Sequence, residues 1–171
     1  CGSSQQSVHF AAAGVMAGHY DVVVAGGVES MSRTPMGASL ASGGNPYSAG
    51  FKGRYDRTPN QGIGAEMMAT KWGLTRTMLD QFSLDSHEKA GKAQDSGAFD
   101  DQIVGIKDAD GNMVLKDEGI RRGTTLEKMG QLKPAFSEDG VIHAGNSSQI
   151  SDGSGALLFM SAEKAKSLGL K

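Results

Sequence analysis

Asp21-Val22-Val23-Val24-Ala25-Gly26-Gly27, set directly behind the alanine-rich run Ser4 to Tyr20, is the stretch on which the reading of the fold turns. A short β-branched run closed by two glycines reads as a strand buried on both faces, as in a parallel sheet. The preceding run carries Val8, His9, Ala11, Ala12, Ala13, Val15 and Met16, is nearly apolar all round, and ends at Gly18. That pattern predicts a helix covered on most sides. Helix then strand with almost no linker is half of a βαβ unit, so an α/β architecture is expected. The first strand of that unit is expected ahead of Cys1, which would place the cysteine where open α/β sheets hold their ligands.

Cys1 is the only cysteine, in the run Cys1-Gly2-Ser3-Ser4-Gln5-Gln6-Ser7. A thiol at a helix N-terminus meets unpaired N–H groups and the positive end of the helix dipole, which favour thiolate. Cys1 is therefore a candidate nucleophile. No initiator Met precedes it, so a segment is expected to have been removed. One cysteine rules out an intrachain disulfide and a cysteine-cluster zinc site, and points to a reducing, cytoplasmic compartment. The formal charge of −2 and pI of 6.1 argue against a nucleic-acid or anionic-membrane partner. No apolar run has membrane-spanning length and no signal peptide is visible. Glycine supplies 25 of the 171 residues, against an average of about 7%. The excess is spread among ordered-looking segments, so it reads as tight turns and close backbone approach.

From Glu29 to Gln61 the texture changes to Ser, Gly, Asn, Arg and Tyr, broken by Pro35, Pro46 and Pro59. This is a long surface excursion, a kind of loop that is usually functional or disordered. Ile63 to Trp72 reads as a helix with Ile63, Met67, Met68 and Trp72 on one face, taken as core. Thr75 is a natural N-cap for the next helix, which runs to Ser96 with Leu79, Phe82, Ser86, Ala90 and Ala93 inward. Short strands are expected at 101–107 and 113–115, around the turn Asp108-Ala109-Asp110-Gly111. Residues 121–136 read as loop. His143-Ala144-Gly145-Asn146-Ser147-Ser148 is a small-residue turn, and Gly153 to Met160 is a second buried strand, with Ser161 capping a last helix. There is no internal repeat.

Three blocks together resemble the thiolase family. Cys1-Gly2-Ser3-Ser4-Gln5-Gln6 resembles the segment around its acyl-accepting cysteine. Val24-Ala25-Gly26-Gly27-Val28-Glu29-Ser30-Met31-Ser32 resembles the strand and turn leading into its loop domain. Ala144-Gly145-Asn146-Ser147-Ser148-Gln149-Ile150-Ser151-Asp152-Gly153 resembles the return to the core. Gly64-Ala65-Glu66, Arg121-Arg122-Gly123 and Lys133-Pro134-Ala135-Phe136 fit the loop domain between them.

The resemblance implies a layered α/β/α/β/α fold, here a partial first half with a mostly helical loop-domain insertion. Residues 1–30 would belong to the core, 31–140 to a CoA-binding and oligomerising loop domain, and 141–171 to the core again. The implied activity is that of acetyl-CoA acetyltransferases and 3-ketoacyl-CoA thiolases. A 3-ketoacyl-CoA is cleaved by CoA into acetyl-CoA and a shortened acyl-CoA, or the reverse condensation is run. By resemblance Cys1 accepts the acyl group, its own backbone N–H contributing to an oxyanion hole. Arg121 would lie near the CoA nucleotide, Ser148 would bond the pantetheine amide, and Phe136 and Ala144 would line the arm. CoA enters as substrate and no metal is implied.

None of the four histidines sits in a family base motif. His9, on the nucleophile's own helix, is ~12 Å along it and too far to serve, so the base and the second cysteine are expected outside this polypeptide, and the isolated chain is expected to be inactive. Asn60-Gln61 stands where many biosynthetic members carry His-Met beside the acyl pocket, and Lys128 where some carry serine. With Ser147-Ser148-Gln149, this looks more like the degradative members of β-oxidation and lipid breakdown. The expected partners are an acyl-CoA, and a second copy in a homodimer or homotetramer or a complementing chain carrying the second half. His143 is a candidate neighbour of the site, and Lys52, Arg54 and Arg57 form either a solvated loop or a phosphate contact. Two other readings remain: a non-catalytic or partner-dependent fragment, and a hydrolase using an N-terminal Cys1, which expects a strand where this chain has a helix.

Overall fold

The elements of this computed structural model, which describes residues 2–41 and 43–170, follow in chain order. They are α1 (Ser3–Met16), β1 (Val22–Ser30), α2 (Ala38–Ala41), α3 (Ala49–Arg54), α4 (Gln61–Trp72), α5 (Arg76–Asp95), β2 (Ile106–Lys107), β3 (Met113–Val114), α6 (Leu126–Gly130), β4 (Asp152–Met160) and α7 (Ala162–Ser167). Cys1 lies outside the described residues.

The helix-then-strand reading of the opening segment stands, in an α/β chain. β1, however, runs through both glycines instead of stopping at them, because β4 pairs with it from Val22 opposite Met160 to Ser30 opposite Asp152. The pairing is antiparallel, which corrects the expected parallel sheet. A Cβ on Gly26 would overlap the Gly155 carbonyl, and one on Gly27 would overlap the Ser4 side chain at the start of α1. The glycines therefore admit two close neighbours within a continuing ladder. α1 covers one face only. Ala25 is buried and Val23 and Gly27 are half-buried on that face, while Val22, Val24 and Val28 alternate outward and are exposed. The all-round cover expected for α1 is likewise absent among the described residues: Ala11 is its buried residue, and Phe10 and Met16 are exposed.

The chain divides into two compact units, Cys1–Pro46 with Ile150–Lys171, and Tyr47–Gln149. The insertion read as starting at residue 31 thus stays with the α1–β1 unit as far as Pro46, and the return read at residue 141 begins at Ile150. The exit from β1 is pinned by Asp152. Its Oδ1 accepts the Ser32 N–H at 2.8 Å, and its Oδ2 accepts the Ser32 hydroxyl at 2.5 Å and the Ser30 hydroxyl at 3.3 Å.

In the second unit α4 starts at Gln61 because the Asn60 Oδ1 accepts the Ile63 N–H at 3.0 Å, and it ends at Gly73, whose φ is 62°. The stripe expected as core is exposed in this structure: Met67, Met68 and Trp72 keep 49%, 53% and 58% of their surface. Gly62 and Ala69 are the buried positions of α4, because the Phe136 ring occupies the space a Gly62 side chain would fill. α5 begins at its Thr75 cap as read, yet Phe82 is 76% exposed and Ser86 also faces out. Leu79, Ala90 and Ala93 are half-buried as read; its buried residues are Asp80 and Gly91, with Ser83, Leu84, His87 and Gln94 half-buried beside them. Polar residues held inward by hydrogen bonds are invisible to a search for apolar periodicity. Within 121–136, read as loop, Thr125 caps the short α6 and Met129 is 2% exposed. Among the described residues no helix is long and apolar enough to cross a membrane.

Two outcomes are expected. Gly27→Ala should cost about 1–3 kcal/mol in urea denaturation through overpacking against Ser4; wild-type stability would contradict the close approach. The Ser32 hydroxyl and then its N–H hold the Asp152 carboxyl below the ordinary value of 3.8. Because the folded value is the depressed one, the tether persists as pH falls to the ordinary aspartate value and is lost below it. Carboxyl NMR should find Asp152 titrating below 3.8.

Candidate functional site

A carboxylate on α5 organises the second unit. Asp80 is 2% exposed, and charge buried to that degree must be paired and hydrogen-bonded. Its Oδ1 lies 2.7 Å from the His143 Nε2 and accepts from the Asn146 Nδ2 at 3.0 Å. Arg76, one turn earlier, places its Nε 3.6 Å from the Asp80 Oδ2. The Nη2 of Arg76 donates to the Met129 and Leu132 carbonyls at 2.8 and 2.5 Å, holding the end of α6. The His143 Nδ1 accepts the Gly145 N–H at 3.1 Å, which assigns the ring proton to Nε2 and makes the ring a donor to Asp80. The Asn146 Oδ1 accepts the His143 N–H at 2.8 Å, closing the turn from Ala144 to Asn146 on both sides. Glu66 of α4 clamps the approach, its two oxygens accepting the Val141 and Ile142 N–H groups at 2.9 and 2.8 Å.

The segments joined by this cluster wall an open pocket of about 660 Å³. One wall is α5 with Phe82, Ser86 and His87; opposite it are Met129 and Leu132, and the turn supplies Ala144 to Gln149. Arg121 stands at the rim. Its guanidinium makes one long contact, 3.5 Å to the Glu118 carbonyl, and its backbone N–H donates to the His87 Nδ1 at 3.2 Å. The next arginine differs: both Arg122 Nη atoms bond the Asp95 carboxylate at 2.9 Å, and Nη2 also reaches the Gln94 Oε1 at 2.9 Å. Arg122 is committed to α5, whereas Arg121 offers a charge. Hydroxyls, apolar side chains and the Arg121 cation suit a long, amphipathic, anionic ligand.

Three of the four residues read from sequence as ligand contacts, Arg121, Ala144 and Ser148, line this one pocket. Phe136 does not line it; the ring packs over Gly62 and remains 40% exposed. Lys52, Arg54 and Arg57 are also absent from its lining. His143 is fully buried behind the turn that forms one wall. His9 and His19 are exposed on or just beyond α1. Sequence reasoning missed Asp80, His87 and Glu66 as organisers, each charged or polar and hydrogen-bonded to a partner at least 34 residues away in the chain. The residues that follow Cys1 form a separate cleft in the first unit, where Ser3 and Ser4 face Gly27, Glu29 and Asp152. Among the described residues no three His, Cys, Asp or Glu side chains gather as metal ligands.

Comparison with known proteins gives the family. The family model described as thiolase, N-terminal domain, matches residues 1–163. A probable acetyl-CoA acyltransferase of Staphylococcus epidermidis is 39% identical over 184 residues, covering 100% of this chain and 47% of the relative. A 3-ketoacyl-CoA thiolase of Marinobacter nauticus is 39% identical over 175 residues, covering 99% of this chain and 44% of the relative. The solved structure of an acetyl-CoA acetyltransferase from Syntrophomonas wolfei superposes with a TM-score of 0.78 at 34% identity, covering 100% of this chain and 45% of that one. The chain spans about half the length of the relatives it matches.

Removing the central carboxylate should leave His143 and Asn146 without their shared acceptor and Arg76 without its ion-pair partner. Asp80→Ala is expected to cost about 3–5 kcal/mol in urea denaturation; a loss below about 1 kcal/mol would show that the cluster does not hold the unit together.

Proposed function

The chain belongs to the thiolase family, and from that premise we propose that it supplies the acyl-accepting cysteine and the CoA pocket of a CoA-dependent acyltransferase. The observation that carries the reading is the convergence of Arg121, Ala144 and Ser148 on one pocket, with the Arg121 guanidinium left available beside an Arg122 held by Asp95 and Gln94. Arg121 then meets the nucleotide end of CoA through charge and a stacking plane. Ser148 serves the pantetheine amide, and Ala144 packs along the arm. Phe136 acts from its seat on α4, where any contribution to the arm depends on Gly62 leaving room for the ring.

In the proposed chemistry the Cys1 thiolate attacks the keto carbon of a 3-ketoacyl-CoA. The bond between the α and β carbons breaks, the departing acetyl-CoA enolate takes a proton, and an acyl thioester remains on Cys1. CoA sulfur then attacks that thioester, releasing the shortened acyl-CoA and returning the thiolate. Donors near Cys1, its own N–H among them, would stabilise the oxyanion of each addition. The base is assigned to residues outside 1–171, supplied by a complementing chain carrying the family's second half or by further residues of the same protein. This assignment is supported by the apolar residues Val22, Val24, Val28, Leu157 and Leu158, all exposed on β1 and β4. A degradative role in lipid breakdown, in the cytoplasm, fits Asn60-Gln61 and Ser147-Ser148-Gln149.

The reading is tested with acetoacetyl-CoA and a longer 3-ketoacyl-CoA in the whole protein. Cys1→Ala should abolish thiolysis of both, and turnover surviving it would sink the nucleophile assignment. Calorimetry with CoA should show Arg121→Ala binding about ten-fold more weakly, the loss of one charge-assisted contact. An unchanged affinity would remove Arg121 from the site.

A further inference from the structure

His87 is not needed for the chemistry proposed above, yet it is tied to the one residue in the pocket that carries free charge. On α5, His87, Gly91, Gln94 and Asp95 are spaced so that all four lie on one face of the helix. Arg121 and Arg122 lie along that face. The Arg122 guanidinium is fixed to Asp95 and Gln94 at 2.9 Å and reaches the Gly91 carbonyl at 3.5 Å. One turn back, the His87 Nδ1 accepts the backbone N–H of Arg121 at 3.2 Å. His87 and Arg121 both line the two neighbouring pockets on this face.

We propose that His87 is a positioning residue that aims the Arg121 guanidinium at the anionic, nucleotide end of a CoA ligand. The proposal rests on the functional reading of Arg121 given above. Among the described residues the guanidinium makes no contact of its own shorter than the 3.5 Å one, so its direction is set by where the backbone of residue 121 is held. Arg122 anchors one end of the dipeptide and the His87 hydrogen bond anchors the other. Immediately beyond, Gly123 turns the chain away at a φ of 71°, so no continuing regular element steadies Arg121. Losing the acceptor frees the Arg121 N–H to find water and lets the segment pivot on Arg122. Because Nδ1 accepts, the imidazole acts here as an acceptor for backbone and not as a cation toward the ligand.

Side-chain shape separates this role from direct contact. The amide of asparagine superposes on the Nδ1 side of an imidazole, and that of glutamine on the Nε2 side. Calorimetry on the full chain with CoA, and with pantetheine lacking the nucleotide, is read across His87→Ala, His87→Asn and His87→Gln. His87→Ala should weaken CoA about five-fold, the worth of one net hydrogen bond, and leave pantetheine unchanged. His87→Asn should restore CoA affinity, and in an Arg121→Ala background His87→Ala should have no further effect. The inference is overturned if His87→Ala binds CoA as wild type while Arg121→Ala is weakened. It is equally overturned if His87→Gln rescues and His87→Asn does not, or if the effect persists without Arg121. Wild-type affinity in Arg121→Ala itself overturns the functional reading, and this inference with it.

Discussion

A single buried carboxylate, Asp80, is the constraint on which the geometry of the second unit depends. A charge this deep is tolerable only while its partners stay in place, and those partners come from separate segments. Arg76 joins it to the end of α6, while His143 and Asn146 join it to the turn that returns from the insertion. These are the walls of the pocket that holds Arg121, Ala144 and Ser148. The interaction specifies a shape more than it supplies net stability, since an apolar cluster of equal volume would fold as well. What an apolar cluster would not do is set the angle of the turn, which here follows from one imidazole bonded at both nitrogens.

The first unit is organised on a different principle. Its constraint is the absence of side chains, at Gly26 against Gly155 and at Gly27 against Ser4. These close approaches let α1 press its N-terminal turn onto the middle of β1, so the segment immediately after Cys1 is held against the sheet. Asp152 then ties the end of β1 to its following turn from across the ladder. A helix N-terminus fixed on a strand is a rigid platform, and rigid elements position reacting groups better than loops do.

Elements with local causes were legible in the sequence. Thr75, Ser161 and Gly73 announced helix ends because a cap or a left-handed glycine acts within one turn. The α/β class followed from a helix set against a β-branched run. What could not be read were features decided by distant partners. The antiparallel pairing of β1 depends on a strand 122 residues away. Asp80 and His87 turn inward on α5, among half-buried Leu79, Ala90 and Ala93, because they find partners across the insertion, whereas the apolar stripe pointed to Phe82. Of the residues carried over from the family, Arg121, Ala144 and Ser148 converge while Phe136 is held elsewhere by Gly62, a contact no local pattern encodes.

The pair Arg121-Arg122 shows why residue type alone does not identify a binding group. Both carry the same charge at adjacent positions, and sequence offers no ground for choosing between them except resemblance. Their surroundings do. Gly91 leaves room beside the Arg122 guanidinium, since a Cβ there would come to 3.2 Å from Nη1, and Asp95 and Gln94 then take up its donors. Neutralised and bonded in two directions, Arg122 has little left for a ligand. Among the described residues Arg121 has no such partner, and a guanidinium with unfilled donors beside a pocket gains from an anion what its neighbour has already gained from aspartate. The committed arginine is therefore what makes the free one useful: it holds the backbone from which Arg121 projects, and it satisfies the local carboxylate that would otherwise compete for the same charge.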